Sequence, residues 1–327
     1  MKILVTGNLP DNVIEPLKEK YSIEMNHENR PLDHQMLLAQ IKDKQGLLSM
    51  LNDNISEEVL ACAPHLKMIA NFGVGYNNID VRAATARGIM VSNTPGAVTN
   101  ATAELAFALI LAVSRRVVEG DRMVREGRFK YWAPMTFLGR EVTGKTLGIV
   151  GMGKIGKALA VRGRAFDMRI LYYNRKRVPP EEEKNLAAQY ADLKTLLTEA
   201  DFVSLNVPLT NETKYLIGKE ELSLMKPTAF LINTARGPVV DEKALVEVLR
   251  SGKIAGAGLD VYENEPALAP GLAELEDVVL LPHVGSGTIE TRVNIGKLAV
   301  DNLMAGLSGN IPPNLVNPEV LRHKRQA

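Results

Sequence analysis

The segment TLGIVGMGKIGKALAVRGRAF, residues 146–166, constrains this chain more than any other. An apolar strand, TLGIV, runs into G-x-G-x-x-G at Gly151, Gly153 and Gly156, and then into a helix-like stretch. In that setting the first glycine permits a tight turn and the second lets backbone approach a pyrophosphate. The third lets the helix pack closely on the strand, its N-terminus toward the phosphates. The spacing alone is a weak signal; between a strand and a helix it predicts a dinucleotide-binding domain.

The rest of the chain is consistent with an α/β architecture. KILVTG, GLLSML, KMIANFG and GIMVSNTPG read as strands, separated by the helix-like NVIEPLKEKY, ISEEVLACA and VRAATARG. A second alternating series follows, with strands KTLGIVG, MRILYYN, DFVSLNVP, AFLINTARG, IAGAGLDV and VVLLPHVG. Such alternation predicts parallel sheets covered on both faces. DEKALVEVLRSG is a helix with Asp241 as N-cap and Gly252 just past its end. Two long helices stand out. One is ATAELAFALILAVSRRVVEGDRMV, capped by Thr99 or Asn100; the other runs from about Thr288 to about Gly306, ahead of the Pro-rich NIPPNLVNP. With 327 residues, two doubly wound domains are expected. The long helices are natural crossing points, so the expected division is 1–98 with 288–327, and 99–287.

Composition excludes several classes. With 39 basic and 38 acidic residues, no net charge draws the chain to nucleic acid or an anionic membrane. The apolar run Leu105–Val113 is too short to span a bilayer, and the N-terminus lacks a signal-peptide pattern. Cys62 is the only cysteine; it excludes intrachain disulfides and cysteine metal clusters and reads as a small core residue. A cytoplasmic protein without a metal site or a membrane or nucleic-acid partner is expected.

Ligands of open α/β sheets bind outside the carboxyl ends of the strands. LINTARG puts Arg236 at such an end, GLDVYENEP puts Glu265 after another, and VVLLPHVGSGT puts His283 after a third. Each alone could be an ordinary surface group. Together they supply a set of roles. A nicotinamide cofactor can deliver hydride to a ketone, whose oxygen then needs a proton. Histidine suits donation and recovery near neutral pH. A carboxylate on its other ring nitrogen would fix the tautomer, and a guanidinium can hold an α-carboxylate with two hydrogen bonds. His27, His34, His65 and His323 lie in polar helical or terminal settings and read as solvated or structural. The glycine-rich NFGVGYNNID also ends a strand; it is either a structural turn or a loop whose backbone N–H groups meet a small anion.

The strand after the glycine helix ends in YYNRKR. A carboxylate that holds a ribose 2′-hydroxyl is usual there; here Asn174 stands in its place, followed by Arg175, Lys176 and Arg177. Asn removes the repulsion of a 2′-phosphate, and the cations can bind it. The expectation is NADP(H) in preference to NAD(H), with both admissible. The alternative is a solvated basic turn paired with the acids of VPPEEEK.

These residues together resemble the D-isomer-specific 2-hydroxyacid dehydrogenases over essentially the whole chain. The stretches that carry the resemblance are NFGVGYNNID, NATAELAF, GKTLGIVGMGKIG, DFVSLNVPLTNETKYLI, FLINTARGPVVDEKALVEVL, AGAGLDVYENEP and LLPHVGSGT. The resemblance implies a flavodoxin-like substrate domain with an inserted Rossmann domain. It implies that Arg236 binds the substrate carboxylate, that Glu265 rather than Glu263 supports the catalytic group, and that His283 is that group. Around Gly151, Gly153 and Gly156 it implies cofactor contacts from Lys154 and Ile155, then from Asn174, Arg175 and Lys176. Further contacts would come from Val207, Pro208 and Thr213, from Thr234, Ala235 and Arg236, and from Asp260, His283, Gly285 and Thr102. NFGVGYNNID is most similar to the glyoxylate and hydroxypyruvate reductase branch, which implies that Val74 and Gly75, with Asn71, meet the substrate beside Arg236 and His283. The family also implies a homodimer formed through the helix beginning near Asn100. Trp132 would then act across the dimer, or else anchor its loop on its own domain.

The function expected from this reading is reduction of a small 2-keto acid, glyoxylate or hydroxypyruvate, to the D-2-hydroxy acid. A reductase of longer keto acids such as 2-ketogluconate, or a D-lactate dehydrogenase, is the alternative within the class. A nucleotide-sensing protein similar to the C-terminal-binding protein corepressors is the alternative outside it.

Overall fold

The computed structural model describes residues 1–323, the last without its side chain, so the reading of His323 as a side chain lies outside the described residues. The chain opens with β1 (Lys2–Val5), α1 (Asp11–Lys18), β2 (Ser22–Met25), α2 (His34–Gln40) and β3 (Gly46–Ser49). It continues with α3 (Glu57–Ala61), β4 (Met68–Asn71), α4 (Val81–Ala86) and β5 (Met90–Ser92). Helices α5 (Thr99–Ser114) and α6 (Val117–Arg125) lead into β6 (Thr146–Val150), α7 (Lys154–Arg164) and β7 (Arg169–Tyr173). Then come α8 (Pro180–Leu186), β8 (Ala188–Tyr190), α9 (Leu193–Glu199), β9 (Phe202–Leu205), α10 (Lys219–Leu224) and β10 (Phe230–Asn233). The order closes with α11 (Glu242–Arg250), β11 (Gly256–Leu259), β12 (Val278–Leu280), α12 (Ile289–Leu307) and α13 (Val320–His323).

Two compact units result: Met1–Val98 with the chain from Gly287 onward, and Thr99–Ser286. Among the described residues, the first holds a parallel sheet in the order β2-β1-β3-β4-β5, the flavodoxin-like order. Its central strands are buried throughout, as a sheet covered on both faces requires. One face packs Ile3, Val5, Met68 and Met90 against Ile295, Ala299 and Leu303 of α12. The other packs Leu4, Leu47 and Ile69 against Leu37, Val59 and Ala83 of α2, α3 and α4. Thr288 caps α12 by accepting from Thr291 N.

The second unit holds a parallel sheet in the order β12-β11-β10-β9-β6-β7-β8. Its order reverses between β6 and β9, the switch point at which a doubly wound sheet opens a crevice for a ligand. Helices α5 and α7 cover one face through Ala106, Phe107, Ile110, Leu159 and Ala160. Helices α9, α10 and α11 cover the other through Leu196, Leu222, Leu245 and Leu249. Asp241 caps α11 by accepting from Ala244 N at 3.0 Å, and Gly252 stands just past it at φ +65°.

Three expectations need correction. The single helix expected over 101–124 is two. Arg116 turns left-handed at φ 55°, and the chain from Phe137 to Arg140 folds onto the break. There Arg140 N takes the Ser114 carbonyl at 2.7 Å, and Arg116 lies over the Phe137 ring. Thr99 and Asn100 lie inside α5 rather than capping it. The edge strands β2 and β8 had no counterpart in the sequence reading, because each is short and only partly buried. Cys62, at the end of α3, is half-buried and packs against the core rather than lying fully within it. No helix among the described residues is long and apolar enough to cross a membrane.

Candidate active site

The glycine turn has the shape its spacing demands. Gly151 sits at φ +104°, and a Cβ there would meet Asn206 backbone at 2.7 Å. A Cβ on Gly156 would meet the Gly151 carbonyl at 2.2 Å, which fixes how closely α7 approaches the strand end. A Cβ on Gly153, by contrast, would meet nothing within 4 Å. Gly153 is also the N-cap of α7 and offers no side chain to the helix's first amides. An open approach and uncapped amides at a helix N-terminus suit a pyrophosphate. The fit extends to the next strand ends, where the buried Thr234 Oγ1 and Asn206 Oδ1 have no hydrogen-bond partner among the described residues. This unit therefore fits a dinucleotide. Lys154 is exposed and Ile155 half-buried beside the turn; Val207 and Ala235 are half-buried and Pro208 exposed at neighbouring strand ends.

Asn174 directly follows β7, and its Oδ1 accepts from Met152 N at 2.7 Å. With its oxygen committed to the glycine turn, its amide nitrogen is left as a donor. Arg175 and Lys176 are exposed and form no salt bridge to the described residues. Arg177 is different. Its Nε and Nη2 donate to Glu183 Oε1 and Oε2 at 2.7 and 2.8 Å, so the expectation that it offers a cation to phosphate is corrected. The acids of VPPEEEK do pair with this turn, through Arg177.

Arg236, Glu265 and His283 lie at three strand ends of the same unit. Asn233, the last residue of β10, shapes the first by accepting from Ala235 N and donating to Arg236 O, both at 3.0 Å. Burial pushes the Arg236 guanidinium below its ordinary range, and Glu265 partly offsets this. His283 Nδ1 lies 2.7 Å from Glu265 Oε2, each side chain about one-third exposed. A carboxylate accepts only, so Nδ1 carries the proton and Nε2 is the nitrogen that remains for chemistry. Glu265 Oε1 accepts from Tyr262 N at 3.0 Å. Burial alone would raise the Glu265 carboxyl. The His283 and Tyr262 hydrogen bonds, with the charges of His283 and Arg236, hold it below the ordinary range instead.

His283 adopts φ 54°, a left-handed conformation costing about 1–3 kcal/mol for a residue other than glycine. Asp260, 1% exposed, holds the segment beyond it by accepting from Val284 N and Gly285 N, both at 2.7 Å. Thr102 Oγ1 donates to Gly285 O at 3.2 Å. Asp260 and Thr102, expected to touch cofactor, thus serve this loop. Thr213 likewise closes its own loop, donating to Pro208 O at 2.6 Å.

In the first unit, Asn71 is 0% exposed at the end of β4. Its Nδ2 donates to Gly75 O at 2.7 Å, and its Oδ1 accepts from Ser49 Oγ and Asn78 Nδ2. Through these bonds Asn71 shapes the loop. Val74 O accepts from Asn93 Nδ2 at 2.7 Å. With these carbonyls turned inward, trans peptide planarity turns the N–H groups of Gly75 and Tyr76 the other way. Asn78, Asn93 and Asp260's loop-holding role were missed from sequence, since their partners lie elsewhere in the chain.

His27, His34 and His65 are exposed as expected, with His34 Nε2 3.0 Å from Glu58 Oε2. Trp132 is 77% exposed, so it does not anchor its loop on its own unit. Among the described residues, no group of three or more His, Cys, Asp or Glu could hold a metal ion.

The chain is similar to known proteins over nearly all its length. Residues 107–285 match the family described as D-isomer specific 2-hydroxyacid dehydrogenase, NAD binding domain. The chain is 51% identical to a glyoxylate reductase of Pyrococcus furiosus, covering 99% of this chain and 97% of that one. It is 50% identical to a glyoxylate reductase of Thermococcus litoralis, covering 98% of each. An NADPH-dependent glyoxylate/hydroxypyruvate reductase of Sinorhizobium meliloti, solved with NADP and malonate, superposes with a TM-score of 0.85. It shares 34% identity and covers 98% of this chain and 97% of that one. The family match takes in more than half of the chain, and identity near one-half extends over almost all of it. This chain therefore belongs to the D-isomer-specific 2-hydroxyacid dehydrogenases, nicotinamide-dependent oxidoreductases.

Proposed function

We propose that this dehydrogenase reduces glyoxylate or hydroxypyruvate, with NADP(H) preferred to NAD(H). The observation that carries the reading is the Glu265–His283 pair with the half-buried, positively charged Arg236 at a strand end of the same unit. Arg236 holds the α-carboxylate and so orients the neighbouring carbonyl. Glu265 keeps the proton on His283 Nδ1 and stabilises the charged ring, while His283 Nε2 donates the proton that the carbonyl oxygen takes up. Bound reduced nicotinamide supplies the hydride that the keto carbon receives. The loop of Val74 and Gly75 binds the substrate carboxylate through backbone N–H groups. Gly151, Gly153 and Gly156 admit the pyrophosphate, and Asn174, Arg175 and Lys176 select the 2′-phosphate. The half-identical glyoxylate reductases support the substrate class, and the NADPH-dependent relative supports the cofactor.

The same reading includes a homodimer. Helix α5 is largely buried in its own unit, whereas α6 has no buried residue. Phe129, Tyr131, Trp132, Met135 and Leu138 follow it, all more than half exposed. An apolar cluster of this kind is what a partner covers, so we assign dimerisation to α6 and this segment rather than to α5.

The test mixes protein, NADPH or NADH, and a panel of glyoxylate, hydroxypyruvate, pyruvate and 2-ketogluconate, and follows loss of reduced-cofactor absorbance. Turnover should be fastest with the two small acids and NADPH. Hydroxypyruvate also reads handedness, since its product has a stereocentre and glycolate has none. No oxidation of either cofactor across the panel would overturn the reading. Sedimentation equilibrium checks the dimer.

A further inference from the structure

Next to the glycine turn, a polar cluster of Tyr172, Arg177 and Glu183 lies outside the reacting centre. Tyr172 is 0% exposed in β7. Its hydroxyl accepts from Val178 N at 3.1 Å and donates to Glu183 Oε1. Glu183, in the first turn of α8 with its side chain 10% exposed, holds Arg177 through two parallel hydrogen bonds. The turn from Asn174 to Val178 is therefore fixed at both feet. Asn174 Oδ1 on Met152 N secures one, and Tyr172 with Glu183 secures the other. Between them Arg175 and Lys176 are exposed and form no salt bridge to the described residues, whereas Arg177, also exposed, is tied to Glu183.

We propose that Glu183, acting through Tyr172 and Arg177, is a positioning residue for 2′-phosphate recognition. It withdraws Arg177 from the cation set and presents Arg175 and Lys176 in one fixed turn. The inference rests on the NADP(H) reading above. Hydrogen bonds from Arg177 and then Tyr172 hold the Glu183 carboxyl down to about 2, so it stays ionised at working pH. The Arg177 guanidinium also lies 5.8 Å from the Tyr190 ring centroid, on the side of the turn formed by β7 and β8.

Isothermal titration of the whole enzyme with 2′,5′-ADP and with 5′-ADP tests this without turnover. Wild type should bind 2′,5′-ADP more tightly; equal affinities would overturn the NADP(H) reading, before any variant is made. Given that preference, Glu183→Gln should reduce it about tenfold, the scale of one charge-assisted hydrogen bond. Affinity for 5′-ADP and KM for the keto acid should stay within about twofold. Tyr172→Phe, which keeps the buried ring, and Arg177→Gln should shift the preference in the same direction, and serve if Glu183→Gln does not fold. An unchanged or increased preference for 2′,5′-ADP in these variants would overturn the positioning role while leaving the NADP(H) reading intact. An equal loss for both fragments would show a merely structural contribution, and would also overturn it.

Discussion

The carboxyl ends of the two sheets are built from different materials. In the Thr99–Ser286 unit they present side chains: Arg236, Glu265 and His283, with Glu265 and His283 hydrogen-bonded to each other. In the other unit they present backbone, shaped from beneath by the amides of Asn71, Asn78 and Asn93. Side chains can donate protons and change charge. Side-chain amides cannot, but each satisfies a carbonyl and so decides which way the neighbouring N–H points. One set suits chemistry and the other suits recognition.

Four substitutions sharpen or break that contrast. His283→Ala should lower kcat by about 10²- to 10⁴-fold, the usual contribution of a general acid, with NADPH binding by fluorescence titration nearly unchanged. An equal loss of cofactor affinity would give His283 a different task. Glu265→Gln should lower kcat about 10- to 100-fold, since the neutral amide no longer stabilises the charged ring. Asn174→Asp should shift the NADPH-to-NADH ratio of kcat/KM about tenfold toward NADH, because the second carboxylate oxygen would repel a 2′-phosphate and accept from a 2′-hydroxyl. Asn71→Ala should raise KM for the keto acid a few-fold with little change in kcat, and lower stability by about 1–3 kcal/mol through unpaired buried groups. A kcat collapse there would erase the distinction between the two strand-end sets.

The smallest expected effect is on acid stability. The Glu265 carboxyl is lowered from 4.5, so its contribution to folding is fully present above that unfolded value. It is lost as pH falls through the lowered folded one. Acid-induced unfolding of Glu265→Gln should show a shallower pH dependence in that window, and an identical slope would mean that the pair contributes nothing to stability.

Central strands were legible because a parallel sheet covered on both faces needs continuous apolar runs such as GLLS and FLIN. SIEM and AQY were not, because an edge strand is short and half-wet. The α5–α6 break was hidden for another reason: the residues that turn Arg116 lie more than twenty positions later, at Phe137 and Arg140.

The sequence by itself determined the chemistry. Glycines at a strand end, an Arg, a Glu and a His each declare a function through conformational freedom, charge or titration, and those properties travel with the residue type. Tertiary structure decided the hydrogen-bond partners. It turned the Asn174 oxygen onto Met152 N, gave Arg177 to Glu183, aimed Asn71 at Gly75 and set Asp260 under the strained His283. A polar side chain accepts whichever buried partner the fold brings to about 3 Å, and no single segment contains that distance.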